Sequence, residues 1–198
     1  MSVVRGAVTR PVVAVVVAAV ALSAAGCTSG LSATQGTGGY VSSNGAITVV
    51  PESERKPAPD ISGPTLDAGS VSLSDFAGTV VVVNTWGSWC TECRAEAADL
   101  VEVDEQLGDE VQFLGLNIRD NETAARAYET TYGVTYPSIF DPSSSLLLEF
   151  PPELAAIAIP VTYVVDVDGR VAARILSTTS ASTLMGVIED VQGSSPGG

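Results

Sequence analysis

The 198-residue sequence contains no histidine, and this absence excludes a large part of enzyme chemistry. Without imidazole there is no Ser-His-Asp or Cys-His catalytic arrangement, no histidine-ligated metal and no haem with a proximal histidine. The chain also lacks the one side chain whose ordinary pKa lies near 7. Proton transfer near neutral pH must therefore fall to a carboxylate or a thiol whose pKa is shifted by its surroundings.

Basic residues are scarce as well, since nine Lys and Arg face 23 Asp and Glu, giving a formal net charge of −14. Nucleic-acid binding needs a basic surface, and Arg55 and Lys56 are the only adjacent basic pair. We therefore expect no nucleic-acid partner. The same acidity disfavours electrostatic attachment to anionic lipid, so membrane association would need another cause.

The N-terminal segment supplies such a cause. Two arginines precede an apolar run at Val12–Leu22, which is too short to span a bilayer because about 20 residues are needed. A positive start, a short apolar run and small residues are typical of an export signal. Ala24-Ala25-Gly26-Cys27 resembles a bacterial lipobox, in which the cysteine is diacylated. We predict a signal peptide with lipobox over residues 1–26 and lipidation of Cys27, with an ordinary signal peptide or an uncleaved anchor as alternatives.

The rest of the chain divides into three parts. Residues 27–59, rich in Ser, Thr, Gly and Pro, predict a flexible tether, within which Ala46–Val50 is compatible with a short strand. Residues 60–192 predict one α/β domain, and residues 193–198 a second flexible end.

Strands and helices alternate within the predicted domain. A run of β-branched residues and a second apolar segment predict buried strands, and two further apolar segments joined by Asp168-Gly169 predict a hairpin. Amphipathic periodicity predicts the first helix, Asn121 is the candidate cap of the second, and Ser180 or Ser182 is that of the third. The predicted elements are a small hairpin at Leu66–Leu73, strands at Thr79–Thr85, Val111–Ile118, Val161–Val167 and Val171–Leu176, helices at Thr91–Leu107, Asn121–Thr131 and Ser182–Val191, and a helical turn at Leu146–Phe150.

Two cysteines lie where the first buried strand meets its helix, in the segment Trp86-Gly87-Ser88-Trp89-Cys90-Thr91-Glu92-Cys93. The Cys-x-x-Cys spacing puts the two sulfurs one helical turn apart, close enough for a disulfide. Cys90 falls at the helix N-terminus, where free N–H groups and the helix dipole favour a thiolate. A purely structural disulfide and a zinc site remain alternatives, although zinc needs four ligands and the chain has only three cysteines.

The sequence resembles the thioredoxin superfamily, specifically the extracytoplasmic thiol-disulfide oxidoreductases of the TlpA and ResA type within the redoxin (AhpC/TSA) group. The resemblance covers about Pro59–Val191 and is carried by Val80–Cys93, by Glu96 and by Ile159–Asp166. It implies a thioredoxin fold: a central mixed β-sheet flanked by helices, with an N-terminal β-hairpin extension. It also implies a cis-proline at Pro160, packed against the disulfide, with neighbouring backbone at Ile159 offered to the substrate.

Carboxylates near the two cysteines are the further candidate residues. Glu96 lies one turn beyond Cys93 on the same helix face, and the family has a glutamate beside the active site here. If it is buried, its pKa rises and it can accept the Cys93 proton, whereas the alternative is a solvated helix residue. Glu92 stands where many relatives have proline, and its charge between the sulfurs favours a more reducing couple. We expect Trp89 to shield the disulfide and contact substrate.

The leading functional hypothesis is a disulfide reductase, lipid-anchored at the extracytoplasmic face of the bacterial membrane, that needs no cofactor or metal besides its Cys90–Cys93 disulfide. The resemblance implies apocytochrome c as substrate, through its haem-attachment Cys-x-x-Cys-His, and a CcdA- or DsbD-type membrane electron donor. We expect a monomer. The alternatives are a disulfide oxidase or isomerase for exported proteins, a peroxidase, and a lipoprotein that only binds. The peroxidase is disfavoured because the peroxidase branch of the redoxins has threonine three residues before its reactive cysteine, where this chain has Gly87.

Overall fold

The computed structural model describes residues 40–42 and 44–194. The predicted leader, the lipidation site at Cys27, the first part of the tether and residues 195–198 lie outside the described residues. No helix within the described ranges is long and apolar enough to cross a membrane.

One mixed sheet of eight strands forms the centre of the domain, and a separate two-stranded hairpin precedes its first long strand. The strands of the sheet are β1 (Tyr40–Val41), β2 (Ile47–Val49), β3 (Lys56–Pro57), β6 (Val80–Trp86), β7 (Val111–Ile118), β8 (Ser138–Asp141), β9 (Val161–Val165) and β10 (Arg170–Leu176), and those of the hairpin are β4 (Ser62–Pro64) and β5 (Ser70–Ser72).

The strand order is β1-β2-β10-β9-β6-β7-β8, with β3 also paired to β10. Strands β6, β7 and β8 are parallel, whereas β9 runs antiparallel to β6 and β10 antiparallel to β9. The predicted mixed sheet and the thioredoxin fold are thereby confirmed. Because β9 is antiparallel to β6, it begins at the edge where β6 ends.

Among residues 40–42 and 44–194 there are three α-helices, α1 (Thr91–Leu107), α2 (Glu122–Tyr132) and α3 (Ala181–Gly193). Polar or sulfur-bearing side chains cap their first turns. The Asn121 side chain accepts a hydrogen bond from the N–H of Ala124, and the Ser180 side chain accepts one from Thr183. Helix α2 ends at Gly133, whose φ of +71° is the left-handed conformation that favours glycine.

The four valines of β6 show why the sheet is buried on both faces. Val80 and Val82 join a core cluster with residues of α1 and α3, while Val81 and Val83 join a cluster on the other face. Side chains alternate along a strand, so a continuous apolar run is needed where both faces are covered.

The predicted tether is the main correction to the sequence analysis. Residues 40–57 supply strands β1, β2 and β3, and β2 and β3 pair with the outer side of β10. An unpaired β10 would expose its backbone N–H and C=O groups, so these short strands cover an otherwise open edge. The predicted short strand at Ala46–Val50 is confirmed as β2 at Ile47–Val49.

Smaller differences concern element ends and one missed strand. The predicted hairpin at Leu66–Leu73 covers the turn between β4 and β5 and β5 itself, so the prediction missed β4. Helix α3 is longer than predicted at both ends. Strand β8 was not predicted. The predicted helix α1 and strand β7 have the same bounds in the structure.

Candidate active site

The disulfide lies where β6 passes into α1. Cys90 is the N-cap residue of α1, Cys93 lies in the first turn, and their sulfurs are bonded with the Cα atoms 5.3 Å apart. The N–H of Cys93 donates to the Cys90 sulfur over 3.1 Å. A thiolate formed on Cys90 would therefore meet both an N–H donor and the positive end of the helix dipole, which are the conditions that make a cysteine nucleophilic.

The segment before β9 approaches the same sulfur. The Ile159–Pro160 peptide bond is cis, as the resemblance implied, and the Ile159 carbonyl oxygen lies 3.9 Å from Cys90 Sγ. The two residues therefore stand beside the disulfide, although they follow it by nearly seventy positions in the chain.

Glu96 is buried, with only 1% of its surface exposed. Its Oε1 accepts a hydrogen bond from Asn84 Nδ2 over 2.9 Å, and its Oε2 accepts one from the Thr179 N–H over 3.0 Å. Burial raises the pKa of Glu96 from the usual 4.5 to about 7, although both hydrogen bonds act in the opposite direction. The sequence predicted that Glu96 could accept a proton only if it were buried and its pKa were raised. Both conditions are met in the structure.

Trp89 and Glu92 lie on the surface beside the disulfide. The Trp89 side chain is 46% exposed, and the Arg119 guanidinium lies 5.1 Å from the centre of its ring, in cation–π geometry. Glu92 is exposed in the first turn of α1. A partner reaching Cys90 would therefore meet one aromatic surface and one carboxylate.

Gly87 is required by the close approach of Trp89. A Cβ built on Gly87 would lie 2.7 Å from the Trp89 indole nitrogen and 3.2 Å from the Ile118 carbonyl oxygen. A larger residue at position 87 would displace Trp89, which precedes Cys90 in the chain.

Several residues of the site were missed by the sequence analysis. Asn84 holds Glu96 and also donates to Thr162 Oγ1 over 3.0 Å. Tyr128 donates its hydroxyl proton to the Cys93 carbonyl over 2.8 Å, and its ring stacks on Trp86 at 4.3 Å. One signal for Asn84 was present in the sequence, since it is a polar residue in a strand predicted to be buried on both faces.

The fold and the site together define a thiol-disulfide oxidoreductase domain of the thioredoxin type. Residues 55–174 match the AhpC/TSA family, and the chain belongs to that family.

Similar proteins carry names of the same kind. The chain is 33% identical to "Thiol:disulfide interchange protein DsbE" of Allochromatium vinosum over 58% of this chain and 61% of that protein. It thus spans about three fifths of that relative's length. A solved DsbF homologue from Corynebacterium diphtheriae is similar with 38% identity and a TM-score of 0.67, and a secreted thiol-disulfide isomerase from Corynebacterium glutamicum with 32% identity and a TM-score of 0.67. Both alignments cover 78% of this chain and 99% of the other.

Proposed function

We propose that the protein reduces disulfides in extracytoplasmic proteins while tethered to the membrane, and that its substrate is the pair of haem-attachment cysteines of apocytochrome c. The observation that carries the reductase proposal is the buried Glu96, one turn beyond Cys93, with a pKa of about 7. A base with this pKa can accept a thiol proton at neutral pH in a chain that has no histidine.

In the proposed reaction the Cys90 thiolate attacks one sulfur of the substrate disulfide and releases the other sulfur as a thiolate. Cys93 then loses its proton to Glu96, and its thiolate attacks the Cys90 sulfur of the mixed disulfide. The second substrate sulfur leaves as a thiolate. The substrate gains two electrons, both of its thiolates take up protons, and the protein ends with the Cys90–Cys93 disulfide. This cycle uses no cofactor besides the cysteine pair.

The charges next to the cysteines favour electron flow toward the substrate. The Glu92 carboxylate disfavours the Cys90 thiolate, and a less stable reduced form corresponds to a lower reduction potential. Arg94, whose Nε donates to the Ser88 carbonyl over 2.8 Å, carries a positive charge that opposes this effect.

The reduction potential of the Cys90–Cys93 couple tests the proposed direction. We expect equilibration with a glutathione buffer to give a potential well below about −120 mV, the level of a strong periplasmic oxidant. Glu92→Gln should raise the potential by on the order of 10 mV, because it removes a charge next to Cys90. Glu105→Gln, an exposed position further along α1, should leave it unchanged. A wild-type potential near −120 mV would contradict the reductase proposal.

A second candidate function is that of a disulfide isomerase or oxidase for exported proteins. It is favoured by the similarity to the secreted thiol-disulfide isomerase from C. glutamicum. Incubation with scrambled ribonuclease separates the two functions, because an isomerase restores ribonuclease activity whereas a reductase leaves the substrate reduced.

The proposed location and electron supply complete the hypothesis. A diacylated Cys27 would hold the domain at the extracytoplasmic face of the bacterial cell membrane, and a CcdA- or DsbD-type membrane protein would return electrons to the Cys90–Cys93 disulfide. These partners are supported by the resemblance of residues 80–93 and 159–166 to the TlpA and ResA type.

A further inference from the structure

Ser88, two residues before the nucleophile, is held by three of its polar groups. Its N–H donates to Asp120 Oδ2 over 2.6 Å, and its hydroxyl donates to Asp120 Oδ1 over 2.8 Å. Its carbonyl oxygen accepts from Arg94 Nε over 2.8 Å. We call these contacts the Ser88 network. They connect the loop before Cys90 to the turn after β7 on one side and to α1 on the other.

Asp120 is itself fixed by rigid elements. Its carboxylate also accepts hydrogen bonds from Asn117 Nδ2 at 3.1 Å, near the end of β7, and from the N–H of Asn121 at 2.9 Å, the residue that caps α2. Burial alone would raise the pKa of Asp120, but the hydrogen bonds from Ser88, Asn117 and Asn121 outweigh it and hold the pKa below its usual value. Asp120 is therefore ionised at neutral pH, as acceptance of four hydrogen bonds requires.

Trp89, which follows Ser88 in the loop, contacts the same turn after β7. Arg119 lies over the Trp89 ring, so residues 119–121, which we call the β7–α2 turn, contact both Ser88 and Trp89. The consequence for Cys90 depends on its redox state. In the oxidised chain the bond to Cys93 restrains the loop, whereas in the reduced chain only noncovalent contacts remain, among them the hydrogen bond from the Cys90 N–H to the Gly87 carbonyl at 3.0 Å.

We propose that Asp120 is a positioning residue for thiol-disulfide exchange, which keeps Cys90 at the N-terminus of α1 after the disulfide has opened. The thiolate is stabilised by N–H groups and by the helix dipole only while it stays at the N-cap position, next to the Cys93 N–H. The inference rests on the exchange chemistry of the proposed function, but not on the direction of electron flow or on the substrate.

The negative charge of Asp120 and its positioning of the loop have opposite effects on the stability of the Cys90 thiolate. This difference separates the proposed positioning role from a purely electrostatic role of Asp120. The charged or titratable groups around Cys90 are Glu92, Cys93, Arg94 and Glu96 on α1, Arg119 and Asp120 on the β7–α2 turn, and Tyr128 on α2, while residues 155–160 carry none. Asp120→Asn removes a negative charge, which by itself would favour the Cys90 thiolate. Loss of positioning disfavours the thiolate, so the two effects have opposite signs.

The test is the pH dependence of Cys90 alkylation in the reduced full chain, followed by mass spectrometry of the Cys90 peptide. We expect Asp120→Asn to move the midpoint to higher pH and to lower reactivity below that midpoint roughly threefold to tenfold. Ser88→Ala, which changes no charge, should act in the same direction. The double variant should show less than the sum of the two effects, because both residues act in one network.

Asp60→Asn is the matched control. The Asp60 carboxylate also accepts from a serine hydroxyl, Ser72 at 2.7 Å, and from a backbone N–H, Ser74 at 3.2 Å, but it lies near Thr79, at the end of β6 opposite Cys90. We expect no change in its alkylation profile. An unchanged or more reactive Cys90 in Asp120→Asn, an unchanged profile in Ser88→Ala, or an equal shift in Asp60→Asn would overturn the proposal.

Two features keep this test independent. If Asp120→Asn does not fold, Ser88→Ala still measures the network, since it removes one of Ser88's two links to Asp120. Alkylation needs no substrate disulfide, so failure of the proposed reductase function would leave the measured shift intact, whereas failure of the positioning proposal would leave disulfide reduction unchanged in the variants.

Discussion

For Glu96, the sequence predicted the position of the side chain but not its hydrogen-bond partners. Its spacing from Cys93 predicted a carboxylate on the same helix face, because helical geometry is local. Its two hydrogen-bond partners, Asn84 and Thr179, come from a strand and from the segment before α3, so their approach depends on the complete fold. Asp120 was missed for the same reason, since it is 32 residues from Ser88.

Glu96→Gln should slow disulfide reduction roughly 10- to 100-fold at pH 8, where the wild-type carboxylate is ionised. Because the proposed mechanism makes the Glu96 carboxylate the proton acceptor, the wild-type rate should rise with pH through about 7, the pKa of Glu96, and the variant should lose the inflection at this pH. Measurement of the rate between pH 5.5 and 8.5 with a model disulfide tests this expectation.

Glu105→Gln is the control for that profile, because it makes the same chemical change at an exposed position of α1. A wild-type profile without an inflection near pH 7, or an inflection that persists in Glu96→Gln, would remove Glu96 from the mechanism.

At the scale of elements, strong local signals predicted the parts that carry them. The caps at Asn121 and Ser180 and the valine run of β6 led to the right helices and strand because each signal lies within the element or next to it. Strand β8 has four residues, and β1 and β3 have two each. Such strands are defined by the partner they pair with, and the sequence alone does not identify that partner.

Arg55 adds a buried side-chain link between the N-terminal segment and the rest of the domain. Its Nη1 pairs with Asp166 Oδ2 at 3.1 Å with both side chains fully buried, and its Nε donates to the Val50 carbonyl. Arg55→Ala should lower the free energy of unfolding by about 3 kcal/mol, because it leaves the buried Asp166 with Arg170 as its remaining cation. Urea denaturation measures the change.

The matched control for that change is Arg126→Ala. Arg126 pairs with Glu122 on the surface of α2, and exposed pairs of this kind contribute less than about 1 kcal/mol. An equal decrease in the free energy of unfolding in Arg55→Ala and Arg126→Ala would show that the buried ion pair does not attach residues 50–55 to the sheet.

For the whole molecule, the net charge bears on how the protein can be held at a membrane. A formal charge of −14 gives the chain no electrostatic attraction to an anionic membrane, and the predicted anchor is instead a lipid on Cys27. Residues 28–39 lie in the sequence between the predicted lipidation site and β1, the first described strand.

Cys27→Ser should move the protein from the membrane fraction to the soluble extracytoplasmic fraction, because it removes the thiol proposed to be acylated and changes no residue of the domain. Cell fractionation with an antibody against the domain measures the distribution, and Ser29→Ala serves as the control substitution next to the lipobox. If the Cys27→Ser protein stays in the membrane fraction, the lipid anchor is not what holds it there.

The proposed reduction of apocytochrome c through Cys90 is tested by trapping the mixed-disulfide intermediate. In a cell carrying Cys93→Ala, the mixed disulfide on Cys90 cannot be resolved, and acid quenching followed by mass spectrometry identifies what is bound. We expect an apocytochrome linked through its Cys-x-x-Cys-His segment, and no adduct in Cys90→Ala. An assortment of secreted proteins without any apocytochrome, or the same adducts in both variants, would contradict it.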